Sequence, residues 1–115
     1  MAEPEPLDDE LYLMAKLVPR LTGLPMAVWV TQRDGYQHDV RVKVSRAHGA
    51  RGSWPDAVPV AVRPTPRLVV AGSLSIADLN LVITWIRLNE AAINDYWEEM
   101  IEIDEFLARL QLLPP

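Results

Sequence analysis

Residues 38–45, HDVRVKVS, alternate strictly between apolar and polar side chains from Val40 onward. The three valines fall on one face, whereas Arg41 and Lys43 fall on the other, because successive side chains of a strand point to opposite faces. One dry face and one wet face are typical of an antiparallel sheet that is covered on one side only. This stretch therefore predicts a strand of such a sheet.

The segments on either side of this strand also favour β-structure. Residues 26–31 form an apolar run, and the turn signal Asp34-Gly35 separates it from the strand, so the pair predicts a hairpin. Residues 58–63 alternate again. Pro59 limits that strand to an edge or a strand start, because proline cannot donate to a ladder. Residues 68–71 complete a predicted sheet of about four strands.

Beyond the predicted sheet, the apolar residues change to a helical period. They recur at helical spacing over residues 76–86, and Ser75 with Asp78 three residues later has the spacing of a capping box. Asn89 predicts a break before a second helix, and Asp104 predicts the cap of a third. Strands followed by helices without alternation predict an α+β fold, with two or three helices packed on one face of the sheet.

The N-terminus differs from the rest of the chain in composition. Residues 1–10 hold five carboxylates and no Lys or Arg, which predicts a disordered acidic segment and not a secretory signal. Residues 11–17 predict one or two helical turns that end before Pro19. We expect residues 11–115 to form a single α+β domain, β-rich over 26–71 and helical over 74–111.

The residue types exclude most catalytic and metal chemistry. The chain has no cysteine, which rules out thiol nucleophiles and thiolate zinc sites and fits a reducing compartment. The two histidines, His38 and His48, predict neither a dyad nor a metal site, and no glycine-rich phosphate loop or serine nucleophile motif is present. The carboxylates of residues 98–105 predict a solvated acidic face. We therefore expect no cofactor, no metal and no catalytic residue, although activity through His38 or His48 remains an alternative.

Charge divides the chain into a basic β half and an acidic helical half. Net charge is −5, with −3 over residues 1–29, +4 over 30–70 and −6 over 71–115. No apolar run is long enough to cross a membrane, so a cytoplasmic protein is expected. The residues predicted to bind nucleic acid or a partner are Arg41, Lys43, Arg46, His48, Arg51 and Trp54.

Two interpretations of this basic cluster stay open. In the first, the cations balance the negative charge of the acidic helices, either within the fold or across a homodimer interface. In the second, they form a solvent-exposed surface that binds RNA or single-stranded DNA. Trp54 has two corresponding roles, as a lid on the core or as a platform on which a base stacks.

The last two-thirds of the chain resembles a family of small bacterial domains of unknown function, often encoded near toxin–antitoxin-like genes. The residues that match the family are His38, Val40, Gly72-Ser73-Leu74, Trp85 and Trp97-Glu98. The family usually has a second histidine where this chain has Val40. The resemblance implies a fold and a genomic neighbourhood rather than an activity.

Together these observations predict a non-enzymatic interaction module, self-associating as a homodimer or binding a protein partner. The resemblance implies that this module is an accessory or antitoxin-like component of a bacterial operon. The alternative is a nucleic-acid-binding domain that uses the basic face of the sheet.

Overall fold

The computed structural model describes residues 14–115, so the predictions for the acidic segment 1–10 and for residues 11–13 lie outside the described part. Five strands form one antiparallel sheet in which each strand pairs with the next along the chain. The strands are β1 Met14–Leu17, β2 Met26–Thr31, β3 Arg41–His48, β4 Val58–Ala61 and β5 Arg67–Leu68. The helices are α1 Pro19–Thr22, α2 Ile76–Trp97 and α3 Ile103–Arg109, and a short 3₁₀ turn covers Trp54–Asp56.

The predicted α+β class, an antiparallel sheet followed by helices, is confirmed, with five strands in place of about four. The additional strand is β1, where helical turns were predicted. Ala15 pairs with Val30 and Leu17 pairs with Val28, which adds two apolar side chains to the core. A run this short carries no period that separates a helix from a strand, and pairing with β2 decides the outcome.

The register of the sheet separates its side chains into two faces. Val28 lies opposite Val44, and Val42 lies opposite Val60, on the face that we call the inner face. All four valines are fully buried. Trp29, Lys43 and Pro59 are aligned across β2, β3 and β4 on the other side, which we call the outer face. The predicted dry and wet faces of residues 38–45 are thus present.

Helix α2 covers the inner face and completes the core. Its residues Val82, Trp85 and Ile86 are fully buried, and they belong to the same apolar cluster as the valines of the inner face. Phe106 of α3 is also fully buried and stacks on Tyr96, with 5.0 Å between the ring centroids. Trp85 and Trp97, two residues that carry the resemblance, are both buried in this core.

The predicted helix break at Asn89 is wrong, because α2 runs through it without interruption. Asn89 is buried, and its amide nitrogen donates to the carbonyl oxygens of Trp85 and Gln111 at 3.0 and 3.1 Å. Its side-chain oxygen accepts from the Gln111 backbone N–H at 2.7 Å. The polar residue that resembled a cap therefore fastens a distant segment to the middle of the helix.

Several element boundaries also differ from the prediction. β3 begins at Arg41 and extends to His48, and β5 is reduced to two residues. β4 lies between β3 and β5, so Pro59 does not occupy an edge strand; it is the second residue of β4, in agreement with the alternative of a strand start. The N-cap of α3 is Glu102, two residues earlier than the predicted Asp104. Within residues 14–115, no helix has the length and apolar character needed to cross a bilayer.

Candidate nucleic-acid interface

The outer face of the sheet carries a groove of about 100 Å³ in which aromatic rings and cations meet. We call it the outer groove. Its lining residues are Trp29, Thr31, Tyr36, His38, Arg41, Lys43 and Trp54. Strands β2 and β3 supply the floor, the β2–β3 loop supplies one wall, and the 3₁₀ turn supplies the other.

Trp29, Trp54 and Lys43 build one end of the outer groove, and Lys16 contacts Trp29 from outside it. Trp54 meets the buried Trp29 edge to face, with 6.4 Å between the ring centroids. The Lys43 ammonium lies 5.0 Å from the centre of the Trp54 ring, and the Lys16 ammonium lies 5.6 Å from that of Trp29. Cations at this distance are attracted to the electron-rich ring faces. Trp54 therefore covers Trp29 and also lines the groove.

At the other end, three rings stack next to each other. His38 lies 5.0 Å from Tyr36 and 5.7 Å from Trp97, measured between centroids. The His38 Nδ1 atom is 2.7 Å from the carbonyl oxygen of Asp39. A carbonyl oxygen only accepts, so Nδ1 carries the hydrogen, and Nε2 is left to bond a ligand. The stack fixes the ring plane, and the hydrogen bond fixes the tautomer.

The loop that carries Tyr36 and His38 is held by a network of ion pairs. Arg63 donates from Nε and Nη2 to the two carboxylate oxygens of Asp39, both at 2.8 Å, and from Nη2 to Glu98 at 2.8 Å. Arg33 also donates to Glu98, at 3.3 Å. The hydrogen bonds from Arg63 lower the pKa of Asp39, and those carboxylates raise the pKa of Arg63. This network attaches the loop to the end of β4 and to the C-terminus of α2.

Burial and a neighbouring cation act together on Lys43. Removal from water lowers the pKa of its ammonium, and the nearby Arg41 guanidinium lowers it further. Both effects disfavour the charged form, so an anion that binds here relieves a repulsion already present in the free protein.

Five of the six predicted binding residues fall into two groups. Arg41, Lys43 and Trp54 meet in the outer groove. Arg46 and Arg51 instead line a second, open depression of about 690 Å³, formed by the end of β3 and residues 51–58, which we call the loop cavity.

His48 is the one predicted residue that turns away from both depressions. Its Nε2 atom lies 3.0 Å from each carboxylate oxygen of Asp78, in the first turn of α2. Ser75 caps that helix as predicted, accepting from the Asp78 backbone N–H at 3.1 Å. The Asp78 side chain does not complete a capping box, because it pairs with His48. This contact joins the end of β3 to the start of α2.

Sequence reasoning missed several residues of the outer groove. Trp29 belongs to the apolar run of residues 26–31, and although it is buried, the register places it beside Lys43 on the outer face. Tyr36 and His38 reach the groove from a loop whose position depends on contacts far away in sequence. The position of Trp29 was foreseeable only with the hairpin register, because all six residues of β2 are buried and show no alternation.

Among residues 14–115, no group of three or more His, Asp or Glu side chains is arranged to hold a metal ion. The prediction of a solvated acidic face holds for Glu99, Glu102 and Glu105, which are exposed, but Glu98 belongs to the ion-pair network. Comparisons of the chain with family models, curated proteins and solved structures found no match.

Proposed function

We propose that this protein is a non-enzymatic domain that binds single-stranded nucleic acid on the outer face of its sheet. The observation that carries the proposal is the meeting of Arg41 and Lys43 with Trp54, Tyr36 and His38 in one groove. Cations attract phosphates, and aromatic rings stack on bases of any sequence. The proposal involves no covalent step, cofactor or metal.

The cations of the outer face are available to a ligand. Within the described residues, no carboxylate lies within 4.0 Å of the charged groups of Lys16, Arg41 or Lys43. By contrast, Arg33 and Arg63, at the helix side of the β2–β3 loop, are paired with carboxylates. Positive charge is thus retained on one face of a chain whose net charge is −5.

A single strand suits this groove better than a duplex does. The rings line a depression, so only an unpaired base has a face to stack on them. A duplex keeps its bases stacked inside and presents mainly phosphates. We therefore expect weaker, strongly salt-dependent binding of duplex, through the cations alone.

The experiment is fluorescence anisotropy with labelled single-stranded RNA and DNA of about 16 nucleotides. The test variant is Arg41→Glu with Lys43→Glu, which we expect to weaken binding by about 10- to 100-fold. It should also reduce the slope of log affinity against log salt by about 1.4, because two phosphate contacts are lost.

The matched control is Arg20→Glu with Arg87→Glu, which makes the same change in net charge at exposed positions outside the sheet. Equal affinities for the two double variants would sink the proposal, because the loss would then depend on net charge and not on the groove. The proposal would also be refuted if the unmodified protein showed no measurable binding.

Self-association as a homodimer is a second candidate function, supported by the surface of α2 that points away from the sheet. Exposed side chains of small or apolar character recur there at intervals of four and three residues. These residues are Ala77, Leu81, Thr84, Leu88 and Ala91. We call this set the α2 stripe. Such spacing is typical of a helix that packs along another helix.

The residue types of the α2 stripe read the same in both directions about Thr84, although Leu81 lies three residues before Thr84 and Leu88 four residues after it. In an antiparallel pair whose two-fold axis lies near Thr84, Leu81 would pack beside the partner subunit's Leu88, about one residue out of direct register, and the same contact would recur across the axis, as an isologous interface requires. The Thr84 hydroxyl donates to the Asn80 carbonyl at 2.9 Å, so its hydrogen-bonding demand is met within the helix. The occupant of this surface is thus a second copy of the chain.

Light scattering at micromolar concentration tests the dimer. We expect a dimer for the unmodified protein and a monomer for Leu81→Glu with Leu88→Glu. Met100→Glu, at another exposed apolar position, is the control and should leave the mass unchanged. A monodisperse monomer of the unmodified protein would exclude this candidate.

Two parts of the proposal rest on the sequence. The absence of cysteine from the sequence supports a cytoplasmic location. The resemblance of residues 38–110 to small bacterial domains supports a role as an accessory or antitoxin-like component of an operon. Nucleic-acid binding and self-association are both compatible with such a role.

A further inference from the structure

The loop cavity lies on the same side of β3 as the outer groove. Ser45 lines the cavity and Lys43 lines the groove, and these are successive residues of the outer face, about 7 Å apart along a strand. Trp54 stands between the two depressions. Its ring lines the groove, while its neighbours Ser53 and Pro55 line the cavity. The two depressions therefore adjoin at Trp54.

The shape of the loop cavity is fixed by local contacts. The Ser45 hydroxyl donates to the carbonyl of Ala47 at 2.9 Å and accepts from its backbone N–H at 3.2 Å. Gly52 packs against this serine so closely that a β-carbon would overlap it. On the opposite wall, Ser53 donates to Asp56 at 3.0 Å across the 3₁₀ turn. These contacts give the cavity two defined walls.

The loop cavity is basic, as the outer groove is. Arg46 and Arg51 line it, with Asp56 as the single carboxylate among its lining residues. Arg46 also lines a depression at the start of α2 that contains Asp78, so Arg51 is the cation that belongs to the loop cavity alone. Neither arginine lies within 4.0 Å of a described carboxylate. Together with Arg41 and Lys43 in the groove, they place cations on both sides of the Trp54 ring.

We propose that the outer groove and the loop cavity are two subsites of one track, and that the ligand is a strand of several nucleotides crossing Trp54. This inference rests on the proposed function and specifies the class of ligand. A mononucleotide fills one subsite only, whereas a longer strand carries phosphates at regular intervals and reaches the cations of both. A base stacked on Trp54 would sit where the two subsites meet.

A length series tests the track. Affinities for oligothymidylates of about 2, 4, 8 and 16 nucleotides are measured by anisotropy competition. For the unmodified protein we expect affinity to rise steeply with length and then level off once both subsites are filled. Arg46→Gln with Arg51→Gln should leave the shortest ligand unaffected, reduce affinity for the longest about 10-fold, and lower the salt slope by about 1.4.

The control for folding and charge is Arg20→Gln with Arg87→Gln, which should match the unmodified protein at every length. Trp54→Phe keeps an aromatic face and should retain most of the affinity that Trp54→Leu loses. If the cavity variant binds all lengths as the unmodified protein does, or loses affinity equally at all lengths, the track is refuted.

The two proposals fail in distinguishable ways. One outcome would be that the groove variant Arg41→Glu/Lys43→Glu abolishes length-dependent binding while the cavity variant Arg46→Gln/Arg51→Gln leaves it intact. That outcome would support the proposed function and refute the track. Absence of binding by the unmodified protein at every length would remove both.

Discussion

Asn89 shows how one side chain decides the arrangement of a whole segment. It is buried in α2 and exchanges two hydrogen bonds with the backbone of Gln111, in addition to the one with Trp85. A buried amide without partners is costly, so its bonds with Gln111 determine where residues 110–113 lie. The same residue type at an exposed helix position has no comparable effect.

We expect Asn89→Ala to lower the free energy of unfolding by about 1 to 3 kcal/mol, because polar groups of the backbone lose their buried partners. Urea denaturation followed by circular dichroism measures the change. Asn80→Ala, at an exposed position of the same helix, is the matched control and should differ from the unmodified protein by less than about 0.5 kcal/mol. Equal losses in the two variants would contradict this role of Asn89.

At the scale of elements, the loop between β2 and β3 is shaped by its contacts with other elements. Tyr36 N–H donates to the Arg33 carbonyl at 2.7 Å, closing a turn with Gly35 at φ 86°, a conformation that glycine adopts readily. The Arg33 N–H donates to the carbonyl of Trp97 at 3.0 Å. With the Arg63 network, these bonds hold the walls of the outer groove before any ligand binds.

The ion pair between Asp39 and Arg63 should make the free energy of unfolding depend on pH in the acid range. The pKa of Asp39 is below its ordinary value of 3.8 in the folded protein, because Arg63 donates hydrogen bonds to its carboxylate. When folding lowers the pKa of a carboxyl group, the group stabilises the fold at pH values above its ordinary pKa. This stabilisation is lost as the pH falls through the pKa of the folded protein. We expect the unmodified protein to be more stable than Asp39→Asn near about pH 6, by less than about 1 kcal/mol, since the pair is half exposed.

Urea denaturation at about pH 6 and about pH 3 measures this difference, which should shrink at the lower pH. The control is Asp34→Asn in the same loop, since Asp34 forms no ion pair among the described residues. A difference between Asp39→Asn and the unmodified protein that stays constant with pH would show that the carboxylate is not the stabilising group.

At the scale of the whole molecule, the two proposed surfaces lie on opposite sides. Helix α2 packs on the inner face, and the α2 stripe points away from the sheet, whereas the outer groove opens on the other face. A dimer formed through α2 would therefore present two tracks that point outward. Two linked sites on one nucleic-acid strand gain affinity through effective concentration, provided that the strand spans them.

Local patterns were sufficient to predict most of this fold. The alternation of the valines around Arg41 and Lys43 gave the faces of β3, and the helical period after Ser75 gave the start of α2. β1 escaped prediction because four residues fit either period. The continuity of α2 through Asn89 escaped it because the partner, Gln111, lies 22 residues away.

The candidate site was likewise predictable in part from local sequence patterns. Strand alternation was enough to place Arg41 and Lys43 together on the wet face. The remaining walls depend on long-range contacts: Tyr36 and His38 are positioned through Glu98 and Trp97, about 60 residues further along the chain. No local pattern contains that information, so the aromatic half of the groove was visible only in three dimensions.

The segment after α3 fastens together parts of the chain that are made at very different times. Gln111 is bonded to Asn89 in α2, and the Leu113 N–H donates to the Thr22 carbonyl of α1 at 2.7 Å. The backbone of Leu113 also passes so close to Gly23 that no side chain fits there. During synthesis, α1 and α2 emerge before this fastening exists. The fold is therefore closed by residues that are made after both helices, and a chain paused before them lacks these hydrogen bonds.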